Sequence, residues 1–214
     1  MAKQRIGAYG GTFDPIHDGH IGVARSISEH FNLDTLLLVP AATPPHKDPG
    51  SISSAFDRYA MAVMATFGIS RFRVSTIELE NPGRPYTFET IAALRRMYGV
   101  ETEIFFIVGS DSFDDLHKWK SPERILDNCS LIVAARPGYE ISNATLALES
   151  QALKPRIEDL RGAALAGGRA REACQPGRIY LTDMIAVDIS SSVIRSRIKQ
   201  GLPIDGMAPG VVIE

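Results

Sequence analysis

Cysteine, long apolar runs and net charge are all scarce in this chain. Its 214 residues hold only Cys129 and Cys174, far apart and outside any CxxC spacing, which excludes a disulfide framework and makes the cytoplasm the expected compartment. No apolar stretch approaches the roughly 20 residues that a membrane span needs. The opening MAKQRIGAYGG lacks the apolar centre of a secretory leader, so none is expected. Lys and Arg number 23 against 25 Asp and Glu, a formal charge of -2, which leaves no electrostatic footprint for nucleic acid or an anionic membrane surface. Any anion site must therefore be local. No GxxxxGK[ST] follows an apolar run, so a P-loop is excluded, and no internal repeat is evident.

What remains is an ordinary globular composition, 44% hydrophobic and 22% charged, long enough for one sizeable core. A single domain over 1–214 is expected. Strands are predicted at Ile6–Tyr9, Thr35–Val39, Phe72–Ile77, Glu103–Val108, Leu131–Ala135 and Ile179–Leu181. Helices are predicted at Gly19–Phe31, Ala55–Phe67, Thr87–Tyr98, Pro122–Asp127 and Ser191–Gln200. Runs such as LLLV and IFFIV are apolar at consecutive positions, the pattern of strands covered on both faces. The fold class is α/β, a doubly wound and mainly parallel sheet, in which ligands bind beyond the carboxyl ends of strands. Asn143–Gly177, rich in alanine and with a GAALAGGRAREA stretch that lacks clear strand character, reads as a helical excursion with a flexible Ala/Gly turn.

The richest segment is GGTFDPIHDGH, Gly10 to His20, between the first strand and the first helix. Gly10 and Gly11 let backbone N–H groups approach a phosphate, Thr12 and Phe13 continue the turn, and a helix start favours an anion. His17 and His20, three apart, can face that same anion. Asp14, His17 and His20 could alternatively bind a metal, but no third strong ligand stands at a recognised zinc spacing. After the second strand, VPAATPPHKD ends in His46 and Lys47, either a solvated loop or a phosphate contact. In GRPYTFET, Tyr86 and Thr87 begin a helix; Thr87 is an N-cap or a hydroxyl for a carboxylate. GSDS supplies Asp111 after the fourth strand. The single tryptophan, Trp119, is core packing or a platform for a heteroaromatic ring. Arg136 stands in an RPG turn after the fifth strand. DISSSVIR begins the last predicted helix, capped by Ser190, Ser191 or Ser192, where Arg195 can act as a charged clamp.

Taken in order, GGTFDPIHDGH, PPHK, YTFET, GSDS with Trp119, RPG and ISSSVIR resemble the bacterial nicotinate mononucleotide adenylyltransferases of the HxGH nucleotidylyltransferase superfamily. The last motif commonly ends in threonine; Ser192 keeps the hydroxyl. The resemblance implies a Rossmann-like nucleotidylyltransferase fold and transfer of AMP from ATP to nicotinate mononucleotide, with direct attack of the acceptor phosphate and release of pyrophosphate. It further implies ATP contacts at Gly10, Gly11, Thr12, Phe13, His17, His20, Asp111, Ile189, Ser191, Ser192 and Arg195. Of these, His17, His20 and Arg195 would be catalytic together with Lys47. Acceptor contacts would come from His46, Lys47, Tyr86, Thr87, Trp119 and Arg136. Mg2+ is expected on the nucleotide's own phosphates, with no protein metal site. No nucleic acid or membrane partner is implied, and a homo-oligomer is compatible with the resemblance.

Overall fold

The computed structural model describes residues 3–44, 48–81, 83, 86–135, 153–162, 174–184 and 189–213. Its centre is a seven-stranded sheet: β1 (Arg5–Gly11), β2 (Thr35–Pro40), β3 (Phe72–Val74), β4 (Glu103–Gly109), β5 (Ser130–Ala134), β6 (Ile157–Asp159) and β7 (Ile179–Thr182). The spatial order is β3-β2-β1-β4-β5-β7-β6, and every pairing is parallel. The chain steps outward from β1 through β2 to β3, then returns to β4 on the other side of β1. That reversal opens a crevice beyond the carboxyl ends of β1 and β4.

Around the sheet lie α1 (Asp18–His30), α2 (Ala55–Thr66), α3 (Thr87–Tyr98), α4 (Ser110–Asp114), α5 (Pro122–Leu126), α6 (Ser191–Lys199) and α7 (Gly210–Ile213). Strand side chains alternate between two cores. Leu37, Val39, Phe106, Val108, Leu131 and Val133 join Ile91 and Leu94 of α3 and Ile125 of α5 on one face. Leu36, Leu38, Phe105, Ile107 and Ile132 join Ala24 and Ile27 of α1 and Ala62 and Ala65 of α2 on the other. The consecutive apolar runs of the sequence thus have a partner on each side, as a doubly covered parallel sheet requires.

All six predicted strands are present, β3 ending at Val74 rather than Ile77. One expectation is corrected. The alanine-rich excursion over 143–177 contains a strand, β6, which pairs through Ile157–Asp159 with Ile179–Leu181 of β7. Three residues alternating poorly in hydrophobicity give no period to read, and only a long-range pairing makes them a strand. Of the remaining span, Lys154–Arg156 forms a single 3-10 turn, and 143–152 and 163–173 lie outside the described residues.

The turn after β1 is shaped by aromatic rings. Phe13 is buried and adopts a positive φ of 53°, unusual for a bulky residue, which folds its ring back under Gly11. A Cβ on Gly11 would stand 2.8 Å from that ring, and one on Gly10 2.9 Å from the ring of Phe106. Gly11→Ala should therefore lower stability by about 1–3 kcal/mol, the usual cost of overpacking a filled core. Urea unfolding measures it; an unchanged midpoint would mean that the Phe13 ring moves aside freely.

Candidate active site

The start of α1 is built from the two histidines themselves. His17, the N-cap, accepts the backbone N–H of His20 at its Nδ1, 3.3 Å away, and His20 Nδ1 accepts the backbone N–H of His17 at 3.3 Å. This is a capping box in which imidazoles replace the usual hydroxyl and carboxylate. The rings stack with centroids 3.7 Å apart, and the edges of Phe13 and Tyr9 meet His20 at 5.1 and 6.1 Å. Because each Nδ1 accepts a hydrogen bond, the proton of each neutral ring belongs on Nε2. Sequence, cap and tautomer are one construction.

The loop between β1 and α1 is tied to the far end of the chain. Arg195, on α6, donates from Nη1 to the Asp14 carbonyl at 2.6 Å and stands 3.7 Å from the Asp14 carboxylate. Ser191 donates its hydroxyl to the Pro15 carbonyl at 3.0 Å. Residues separated by more than 170 positions are thus in contact. The serine that caps α6 is Ser190, whose Oγ accepts from the Val193 N–H. That leaves the Ser191 hydroxyl on the loop and Ser192 exposed. Ile189 is half-buried just before the cap.

On the β4 side, Gly109 ends the strand and Asp111 is exposed in the first turn of α4. Trp119 is half-buried against the core that holds Leu116 and Ile125. Of the two readings for Thr87, the cap is corrected: Tyr86 occupies the N-cap position, its N–H donating to Glu89 Oε2 at 2.8 Å, and Thr87 is the first helical residue. Tyr86 is half-exposed, stacks with Phe88 at 6.0 Å and lies under the Lys120 ammonium at 4.3 Å. His46, Lys47 and Arg136 lie outside the described residues.

Asp14, weighed as a metal ligand with the histidines, has one carboxylate oxygen taken up within the protein, while its buried Oδ2 has no hydrogen-bond partner. Its carboxylate accepts the Ser53 N–H at 3.3 Å and faces Arg195. Among the described residues, no group of three or more His, Cys, Asp or Glu side chains could hold a metal ion. The described residues alone therefore do not form a closed metal cage. Covalent catalysis through cysteine does not fit either, since burial pushes the Cys129 thiol up to about 12 and that of Cys174 in the same direction. The arrangement can bind and neutralise anions. It offers no activated nucleophile of its own among the residues just described.

A cytidylyltransferase-like family model matches residues 8–197. A protein of Desulfatibacillum aliphaticivorans named "Probable nicotinate-nucleotide adenylyltransferase" is 38% identical over 96% of this chain and 93% of its own. One of Thermoanaerobacter with the same name is 35% identical over 96% and 88%. The chain belongs to the nicotinate-nucleotide adenylyltransferases. Nucleotidyltransferases of this kind generally use a divalent metal. Among solved structures, the fold resembles a Plasmodium falciparum nicotinic acid mononucleotide adenylyltransferase complexed with NaAD, with a TM-score of 0.69 at 18% identity, covering 98% of this chain and 93% of that one. No described helix of this adenylyltransferase is long and apolar enough to cross a membrane.

Sequence reading missed Arg58. It stands with Ala62 and Ala65 at the i, i+4, i+7 spacing of the buried face of α2, and a charged residue on such a stripe is itself a signal. The capping box makes a prediction of its own. His17→Ala should destabilise the protein by about 1 kcal/mol, and His17→Asn, a good N-cap, should restore most of it. Thermal melts of the two variants check this; equal losses would mean that the stacked rings, and not the cap, hold the turn.

Proposed function

We propose that the crevice beyond β1 and β4 transfers the adenylyl group of ATP to nicotinate mononucleotide, giving nicotinate adenine dinucleotide and pyrophosphate, a step of NAD biosynthesis. The supporting observation is the junction at Asp14–His20, where a glycine turn, a histidine cap and Arg195 from the distant α6 gather around one anion-binding helix start. The family membership supports the choice of substrates.

In this reading a phosphate oxygen of the acceptor attacks the α-phosphorus of ATP. The new P–O bond forms as the bond to the β-phosphate breaks, and pyrophosphate leaves with the electron pair. Such a transfer needs positioning and charge neutralisation more than covalent help. His17 and His20 donate from Nε2 to the triphosphate, next to the backbone of Gly10, Gly11, Thr12 and Phe13. Asp111 takes the ribose, and Ile189 lines the nucleotide. Ser191, Ser192 and Arg195 receive the leaving pyrophosphate, the guanidinium keeping donors beyond the one given to Asp14. Lys47 and His46 meet the reacting phosphates, and Arg136 the acceptor. Trp119 stacks on the pyridine ring, Tyr86 flanks it, and the Thr87 hydroxyl faces its carboxylate. Mg2+ enters on the phosphates of ATP, as part of the substrate. The free thiols of Cys129 and Cys174 accord with a cytoplasmic enzyme.

His20→Ala should lower kcat by about 10²-fold or more, because a donor to the departing phosphates is worth most as charge develops there. Single-turnover rates with saturating ATP check it, and an unchanged rate would return His20 to a purely structural role.

Acceptor choice tests the reading itself. Pyrophosphate release should favour nicotinate mononucleotide over its nicotinamide analogue by more than about tenfold in kcat/KM, since an amide turned toward donors leaves a desolvated N–H unpaired at a cost of about 1–3 kcal/mol. Thr87→Ala should narrow the ratio, whereas Trp119→Ala should weaken both acceptors in parallel. Comparable rates with the two acceptors would reassign the enzyme to dual specificity, and no release with either would refute the proposed reaction.

A further inference from the structure

Arg58 is among the largest fully buried side chains, with 1% exposure, and its guanidinium bonds to carbonyl oxygens rather than to a carboxylate. Nε donates to the Ser53 carbonyl at 3.1 Å, at the entry to its own helix. Nη1 donates to Thr12 at 2.7 Å, in the loop after β1, and Nη2 to Ala41 at 2.7 Å and Ala42 at 3.4 Å, in the loop after β2. One planar group therefore spans the loop of the histidine motif and the loop that leads to His46 and Lys47. Glu78 also holds the second loop, with Oε2 accepting the Ala42 N–H at 3.3 Å. Its Oε1 accepts the Thr90 hydroxyl at 2.9 Å, on α3, one turn beyond Thr87.

Burying a cation is costly, and an apolar side chain would fill the same core position without that cost. Burial pushes the Arg58 guanidinium below its ordinary range, against the pull of the Asp14 and Glu78 carboxylates. It pushes Glu78 upward, against its bonds from Thr90 and Ala42 and the nearby Arg58 charge. What the guanidinium supplies in return is geometry: a rigid fork whose donors fix the distance between Thr12 and Ala41. In the adenylyl-transfer reading, those two loops carry the groups that hold ATP and the attacking phosphate.

Resting on that reading, we propose that Arg58 and Glu78 are positioning residues for the transfer, setting the spacing of the two phosphate-holding loops and linking them to the acceptor helix α3. Neither touches substrate. Their contribution is to the alignment of attacking oxygen, phosphorus and leaving oxygen, where a misplacement of about 1 Å can cost about 10²-fold.

Arg58→Lys keeps a positive charge but loses the fork. With ATP and nicotinate mononucleotide it should lower kcat by about 30-fold or more while moving either KM by less than about threefold, the signature of lost alignment and not lost binding. Rates are taken per ATP-binding site titrated by calorimetry, so a smaller folded fraction does not register as a lower kcat. Wild-type kcat in Arg58→Lys, or a loss confined to KM, would overturn the proposal. If Arg58→Lys does not fold, Glu78→Gln decides, because it leaves Arg58 and the core volume in place; a fall of about tenfold in kcat with an unchanged melting temperature is expected, and wild-type kcat would refute the pair's role. Failure of the unmutated enzyme to release pyrophosphate would refute the reaction instead, which separates the two claims.

Discussion

The backbone N–H groups at the start of α1 need acceptors, and this chain satisfies two of them with imidazole nitrogens. The rest of the crevice is arranged around that choice. Using Nδ1 of both histidines for the cap leaves Nε2 as the protonated position of each neutral ring. It also fixes where the preceding loop must run, because His17 is at once the last loop residue and the first capping group. Phe13 turns beneath Gly11, Asp14 receives the start of α2 and the side chain of Arg195, and Pro15 accepts the Ser191 hydroxyl. A neutral amide or hydroxyl at position 17 could cap the helix equally well. What imidazole adds is a second ring nitrogen that can carry either a neutral N–H or a positive charge toward an anion.

The parallel sheet converts local turns into one site. Since every described pairing is parallel, the carboxyl ends of β1, β2, β4, β5 and β7 all point the same way, and the segments that follow them share one edge of the sheet. The reversal at β1 and β4 leaves a gap between loops that fold away in opposite directions. Chain ends separated by most of the sequence are thereby brought into hydrogen-bonding distance, as Arg195 and Asp14 are. Ser191 and Arg195 both donate to backbone carbonyls of the first loop. Arg58 alone satisfies carbonyls from three segments.

β1, β2, β4, β5 and β7 were legible because their apolar runs lie close to glycine or proline, and the histidine motif because its residue types are rare together at that spacing. β6 was not, since Ile157–Asp159 owes its strand conformation to β7 and not to its own composition. The short α4 begins directly after β4, where SDSF carries no helical period to detect. Thr87 and Tyr86 were read as a pair, but which of them caps depends on the reach of Glu89, a one-residue question that pattern alone leaves open. The roles of Asp14 and Ser191 required knowing that α6 packs on the first loop. Arg58 was legible in principle, as a charge on an apolar stripe, but only the structure reveals the carbonyls that justify it.

The two outermost strands, β3 and β6, have three residues each. A sheet margin exposes unpaired N–H and C=O groups that can template the strand of another molecule, and the hazard grows with the length and flatness of the margin. Here Arg71 and Arg73 border one side, and Glu158 and Asp159 the other, so each margin is brief and charged. Among the described residues, short charged margins of this kind disfavour edge-to-edge pairing, so a wide seven-stranded platform need not invite extension of the sheet from one molecule into the next.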